Sequence, residues 1–198
     1  AVQQRFGPHG PAELSVKTVR LAVLGSSTLA HLHAGIRVAA MRRGLWITTY
    51  ESAFGQYWQE LLDCRSDLHA FRPTAVLFCF DAHHVAQGAS ARLSQTAAES
   101  VLNEQRQRIQ RCWQMARQHF SCHIVQQTVL PILPALLGGN EHRLRGSACD
   151  LVHRVNGDMR TWADAHGVDL VALDEHAAMD GWIGWHDPAL WCRSKQEI

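Results

Sequence analysis

The stretch LAVLGSSTLAHL, residues 21 to 32, runs from four apolar residues through Gly25-Ser26-Ser27-Thr28 into a helical pattern. A serine just before a helix stands where backbone N–H groups are unpaired and the dipole is positive, so an alkoxide or an oxyanion is favoured there. Ser27 is therefore a candidate nucleophile. A hydroxyl at this point is also the commonest helix N-cap, and both readings are open. Gly55, in YESAFGQYWQELLD, could lend a backbone N–H to an oxyanion or serve as a plain turn glycine. Asp81, His83 and His84 follow the buried run of FCFDAHHV and either line a site or cap the next helix. The segment from 129 to 146 is too long for a mere connection. Its tip, Asn140-Glu141-His142-Arg143, offers an acid, a base and a cation. Arg143 and Arg145 could hold a phosphate or carboxylate, against the alternative of a solvated loop. His186, in GWIGWHDPALW, lies near the C-terminus, where several α/β hydrolases keep the base of a serine nucleophile. Flanking tryptophans 182, 185 and 191 allow a purely structural histidine as well.

The elements that must position these residues alternate. The β-rich runs are VRLAVL, LWITTY, TAVLFCF, CHIVQQTVL and VDLVAL, and helical windows fall at 28 to 43, about 55 to 64, 90 to 119 and 147 to 165. Such alternation predicts a three-layer α/β/α domain with a mostly parallel five-stranded sheet, flavodoxin-like. The first helix should bury Leu29, Leu32, Ile36 and Ala39 and stop at Gly44; the third should bury Ala97, Val101, Ile109, Trp113, Ala116 and Phe120. Ligands in such sheets collect beyond the carboxyl ends of the strands, near the point where strand order reverses. Five exits, Gly25–Thr28, Tyr50–Gly55, Phe80–His84, the loop 129–146 and Asp174–His186, are expected to line one pocket.

The chain has 198 residues, enough for one well-packed domain, expected over 18–198. Residues 1–17, with Gly-Pro breaks and no apolar core, read as a linker rather than a signal peptide. A formal charge of +1 supplies no basic field for nucleic acid or an anionic membrane, and no apolar run is long enough to span a bilayer. Six cysteines show no Cys-x-x-Cys pairing, which suggests reduced thiols of a cytoplasmic protein. Thirteen histidines invite a metal, but His31 and His33 face different sides of a helix and His83 and His84 alternate on an extended segment, so no metal is expected.

Taken together, LAVLGSSTLAHL, IRVAAMRRGLWITTYESAFGQYWQELLD, SDLHAFRPTAVLFCFDA, GGNEHRLRGS and DPALWCRSKQEI resemble the N-terminal region of FkbH-like proteins, in which an SGNH-hydrolase-like part precedes a HAD-type phosphatase. No phosphatase DxDx(T/V) motif is present, and a phosphatase domain, with its Mg, is expected to follow in cis. The resemblance implies transfer of a glyceryl or related three-carbon unit from a phosphorylated donor, 1,3-bisphosphoglycerate, to the phosphopantetheine arm of an acyl carrier protein in polyketide biosynthesis, with no cofactor in this domain. It matches Ser27 to the serine of the Gly-Asp-Ser block, with Ser26 replacing the Asp. Gly55 falls near the second-block glycine, Asp81 stands where an oxyanion-hole Asn is usual, and His186 is nearest to the C-terminal histidine. No Asp-x-x-His block accompanies it.

The implied mechanism has Ser27, deprotonated by His186 or His83, carry the acyl group, with N–H groups near Ser27 and Gly55 holding the oxyanion and Arg143 or Arg145 the donor's phosphate. Gly25, Ser26, Thr28, Asn140, Glu141 and His142 complete the expected site. Cys79 is a second possible acyl carrier. An SGNH-type esterase and a non-catalytic carrier-docking domain are the alternatives.

Overall fold

The structure, a computed structural model, describes Gly7 and residues 15–197. Most of the stretch expected as a linker therefore lies outside the described residues. Five strands, β1 (Lys17–Gly25), β2 (Leu45–Glu51), β3 (Ala75–Cys79), β4 (His123–Gln127) and β5 (Asp169–Val171), form one sheet in the order β2-β1-β3-β4-β5. Every neighbouring pair is parallel. The central strands have no exposed face, which is why they read as unbroken apolar runs instead of alternating ones.

The helices are α1 (Leu32–Met41), α2 (Tyr57–Leu62), α3 (Asp67–Phe71), α4 (Ala82–Val85), α5 (Gln95–Phe120), α6 (Ala148–His166), α7 (Leu173–Asp180) and α8 (Pro188–Ser194), with 3-10 turns at Gly138–Arg143 and Trp182–Gly184. α5 starts where the Ser94 hydroxyl accepts the Ala97 N–H, and α6 where Ser147 does the same for Asp150. α6 ends at Gly167, whose φ of 57° suits a residue without a Cβ.

On one face of the sheet Ala22, Leu24, Val76, Phe78 and Ile124 pack with Leu102, Ile109 and Trp113 of α5 and Val155 and Met159 of α6. On the other, Leu21, Val23, Ile47 and Cys79 meet Leu29 and Ala40, so α1 alone covers the β2–β1 side there. Ala40, not Ala39, completes the buried stripe of α1, and on α5 Ala98 and Leu102 are buried where Ala97 and Val101 are only partly so. Each such apolar side chain contributes about 1.5–3 kcal/mol on burial. The connection through α1 runs to β2 on one side of β1 while β3 lies on its other side, so strand order reverses between β1 and β3.

Residues 174–186, expected as a strand exit, are mostly helical. α7 buries little beyond Leu173 and Ala177, so its sequence carries no strong apolar stripe. α8 opens with Asp187 capping Ala189 and Pro188 in the first turn, a regular start signal in a segment too short to show periodicity.

Candidate functional site

The reversal point brings β1 and β3 so close that a Cβ on Gly25 would lie 2.5 Å from the Cys79 carbonyl oxygen and from Leu29 Cδ1. Gly25 is thus required by packing, and it delivers the next residues to the carboxyl edge of the sheet. There the Ser26 hydroxyl donates to Asp81 Oδ2, while the Asp81 N–H donates back to Ser26 Oγ at 2.9 Å. The other carboxylate oxygen, Oδ1, accepts the His84 N–H at 2.9 Å and caps α4. Of the two alternatives for Asp81 the helix cap is the one seen, at the reversal point and 2 % exposed.

Ser27 is no helix cap, because α1 begins only at Leu32 with His31 in the capping position. The amides on either side of it are engaged: Ser26 N–H donates to the Cys79 carbonyl at 3.2 Å and Thr28 N–H to the Lys195 carbonyl at 2.9 Å. Leu29 N–H donates to Glu51 Oε1 at 3.1 Å. Among the described residues Ser27 itself hydrogen-bonds through neither its N–H nor its hydroxyl. It lies at the wall of a cleft of about 460 Å³, shared with Thr28, Tyr50–Phe54, Glu60 and Asp67. The Tyr50 hydroxyl donates to Glu60 at 2.9 Å, and burial together with that bond pushes the phenol's pKa upward. His33 stands 3.4 Å from Glu51, and burial holds its pKa down despite that carboxylate. The cleft is lined by three carboxylates, Glu51, Glu60 and Asp67, and among the described residues no basic side chain lies on its wall.

The base set lies on the other side of the reversal point and is organised by the C-terminal segment. Thr28 Oγ1 donates to the Ser194 carbonyl at 2.7 Å, fastening the end of α8 to the β1 exit. The Ala82 N–H donates to Glu197 Oε1 at 2.9 Å, and the Glu197 carbonyl accepts from His186 Nδ1 at 2.7 Å. A carbonyl only accepts, so Nδ1 of His186 carries the proton and Nε2 holds the lone pair, the tautomer a general base needs. Glu197 is 4 % exposed, and burial pushes its carboxyl up to about 8. His83 stacks on Trp191 with ring centroids 4.5 Å apart, and burial lowers its pKa. The Lys195 ammonium lies 5.2 Å from the same Trp191 ring. Nothing in the sequence of Glu197 or Lys195 pointed to this place; only the fold-back of the chain end puts them there.

The five strand exits do not share one pocket. Gly55, with φ of +70°, turns into a separate cleft with Tyr57, Trp58 and His84, where Tyr57 Oη and His84 Nε2 are 2.8 Å apart. His186 borders a third recess with Pro131, Ile132 and Trp182. No hydrogen bond joins Ser27 to His186 or His83 among the described residues. The loop tip turns inward instead of toward Ser27: Glu141 accepts the Leu137 N–H at 2.8 Å, and hydrogen bonding by Ser147 and by Leu137 lowers its pKa. Arg145 ion-pairs with Asp150 at 3.6 Å, while Asn140, His142 and Arg143 are exposed. Cys79 is fully enclosed, and burial pushes its thiol up to about 12, which removes it as a ready nucleophile. Asp174 is no free exit residue either. It accepts from Thr128 at 2.7 Å and from Arg160 at 2.8 and 2.9 Å, which locks α6, α7 and the β4 exit together.

A five-stranded parallel sheet with helices packed against it defines an α/β domain, and comparison with known proteins gives the family. Residues 20–178 match the family described as FkbH, N-terminal domain, and the chain belongs to that family. The N-terminal part of BF1531 from Bacteroides fragilis, containing a phosphatase domain and complexed with Mg, superposes with a TM-score of 0.79 at 15% identity over 93% of this chain. This chain spans 48% of that structure, about half its length. The acetyl xylan esterase AlAXEase has a TM-score of 0.52 at 12% identity, covering 91% of each chain. At such identities these structures share the fold. No curated protein sequence matches the chain. Among the described residues no helix is long and apolar enough to cross a membrane.

Proposed function

We propose that this domain transfers a small hydroxylated acyl unit, of the glyceryl type, from an acyl phosphate to the phosphopantetheine thiol of a carrier protein, with Ser27 as the intermediate carrier. The observation behind this reading is that Ser27 alone at the β1 exit keeps both hydroxyl and N–H unpaired at a cleft wall, while Ser26 and Thr28 beside it are both bound. Ser27 Oγ attacks the acyl carbonyl, its proton passes to a base, phosphate departs, and the Ser27 N–H faces the oxyanion. The thiol then attacks the ester, releasing Ser27 and forming the thioester.

His186 Nε2 is the base with the right tautomer. The segment 194–197 that fixes this tautomer is itself tied to Thr28 and Ala82, which couples His186 to the β1 exit. Glu51, Glu60 and Asp67 suit the hydroxyls of a glyceryl unit as acceptors and repel a phosphate held deep in the cleft. Lys195, at the rim beside Trp191, is a better phosphate partner than Arg145, whose charge is already matched by Asp150. A phosphatase domain in cis, a polyketide pathway and a cytoplasmic location fit this reading of the family.

The test is to mix the chain with glyceryl-loaded carrier protein, run transfer in reverse, and take intact masses of the wild type and of Ser27→Ala. A glyceryl-sized increment that maps to residues 18–44 and is lost in the variant is expected. One observation favours a second reading, a docking domain without its own chemistry: among the described residues no histidine hydrogen-bonds to Ser27. That reading stands if no increment forms and Ser27→Ala binds the carrier protein as well as the wild type does.

A further inference from the structure

At the opposite pole of the sheet, beside the residues that lead into β3 and β4, three potential ligands converge. One ligand atom each from Cys64, His69 and His119 lies within 4.8 Å of the other two. They come from the turn between α2 and α3, from α3 itself, and from the last turn of α5. We infer that Cys64, His69 and His119 form a zinc-binding site with an exchangeable fourth position.

The donor set is a thiolate and two imidazoles, the soft and borderline ligands that zinc takes and that magnesium and calcium do not. Around a tetrahedral zinc, with bonds of about 2.0–2.3 Å, neighbouring ligand atoms stand about 3.3–3.8 Å apart. Closing from the observed spacing needs a shift of roughly an ångström, which rotation about χ1 and χ2 of the exposed Cys64 and His119 provides. His69 is the fixed member. Its Nε2 lies 3.2 Å from the Leu61 carbonyl, and its ring rests against Phe120 with centroids 4.8 Å apart. Since the carbonyl only accepts, Nε2 bears the proton and Nδ1 has its lone pair available. A ring nitrogen tied to a backbone carbonyl is the usual support of a metal-binding histidine, because it sets both tautomer and ring orientation.

Three protein ligands leave one position for water or an anion. A cleft of about 400 Å³ holds all three residues, and Arg20, Arg72, Thr74 and Ser121 form its remaining polar wall, so a small anion completes the coordination with charge to spare. A metal here clips the short helix α3 to the end of the longest helix. The expectation that the chain binds no metal rested on the pairs His31/His33 and His83/His84 and on the lack of a Cys-x-x-Cys pairing; neither histidine pair is involved, and Cys64 meets its partners without such a pairing.

Reduced, metal-free protein is titrated with Co²⁺ and then with Zn²⁺. The site predicts a thiolate-to-cobalt charge-transfer band in the near ultraviolet that saturates at one equivalent and is bleached by one equivalent of Zn²⁺. It predicts loss of the band in Cys64→Ser, weakening of binding by at least about tenfold in His119→Ala, and no change in Cys192→Ser, whose cysteine is also exposed. Both ligand substitutions are at exposed positions, and circular dichroism confirms that each variant is folded. Absence of the band in the wild type, or an equal band in Cys64→Ser, overturns the assignment.

Discussion

Ser26 and Asp81 clasp each other in both directions, hydroxyl to carboxylate and backbone N–H to hydroxyl, across the seam between β1 and β3. Asp81 satisfied in this way is a structural tie that holds the two exits in register, and its carboxylate has no capacity to stabilise an oxyanion.

Ser26→Ala leaves the Asp81 N–H and one carboxylate oxygen unsatisfied in a buried place, which costs about 1–3 kcal/mol. Ser27→Ala removes no hydrogen bond and changes stability by no more than about 0.5 kcal/mol. Urea unfolding of the two variants side by side checks this, and it matters because loss of acyl loading in Ser27→Ala is then chemical and not a folding defect.

Glu197 gives the chain an unusual pH dependence. Its carboxyl is raised from 4.5 to about 8 in the folded state, so between those values the folded chain holds a proton that the unfolded chain has released. The stability that Glu197 contributes is complete below about pH 4.5 and is lost progressively as pH rises through about 8. Glu197→Gln keeps an acceptor for the Ala82 N–H without the charge, so its stability gains on that of the wild type as pH goes from 5 to 8. Unfolding free energies across that range, with amide exchange at Ala82 as a local probe, read the effect.

Asp174 behaves in the opposite sense. Burial alone raises its pKa, but the hydrogen bonds from Arg160 and Thr128 outweigh burial and hold the carboxyl below its ordinary value. Its stabilisation is present above the usual carboxylate range and disappears as pH falls below it. Asp174→Asn weakens the charge-assisted bonds to Arg160 and lowers stability by roughly 1.5–3 kcal/mol at neutral pH, and by less at pH 3. Thermal melts at both pH values decide it.

Alkylation separates the thiols. Cys64 and Cys192 are exposed, whereas Cys79 and Cys112 are enclosed with pKa values near about 12 and Cys122 is held at about 11. Iodoacetamide at neutral pH labels the first two rapidly in metal-free protein, and Cys79, Cys112 and Cys122 only after unfolding. Peptide mapping of a time course shows the order, and fast labelling of Cys79 would restore it as a candidate acyl carrier.

The strands and the β1 exit were legible because burial on both faces leaves a run of apolar residues that any reader of the sequence meets. The parts that escaped depend on distance along the chain. Glu197 reaches Ala82 across 115 residues, and His119 joins Cys64 only because a 26-residue helix ends beside a short turn. Asp174 was visible as a strand-exit residue, but its partner Arg160 lies on a different element, so a fixed brace read as a free site group. The inward turn of Glu141 is equally silent in sequence, since an acid at a loop tip reads as solvated until its amide and hydroxyl donors are in place.

The bond from Thr28 to the Ser194 carbonyl spans 166 residues, nearly the whole chain. Contacts that long pay the largest loop-closure cost and form last, after the sheet that supports them. During synthesis all five strands have emerged before the tail exists to cover them. The seam between β1 and β3 is therefore closed by residues that are made only after every strand of the sheet.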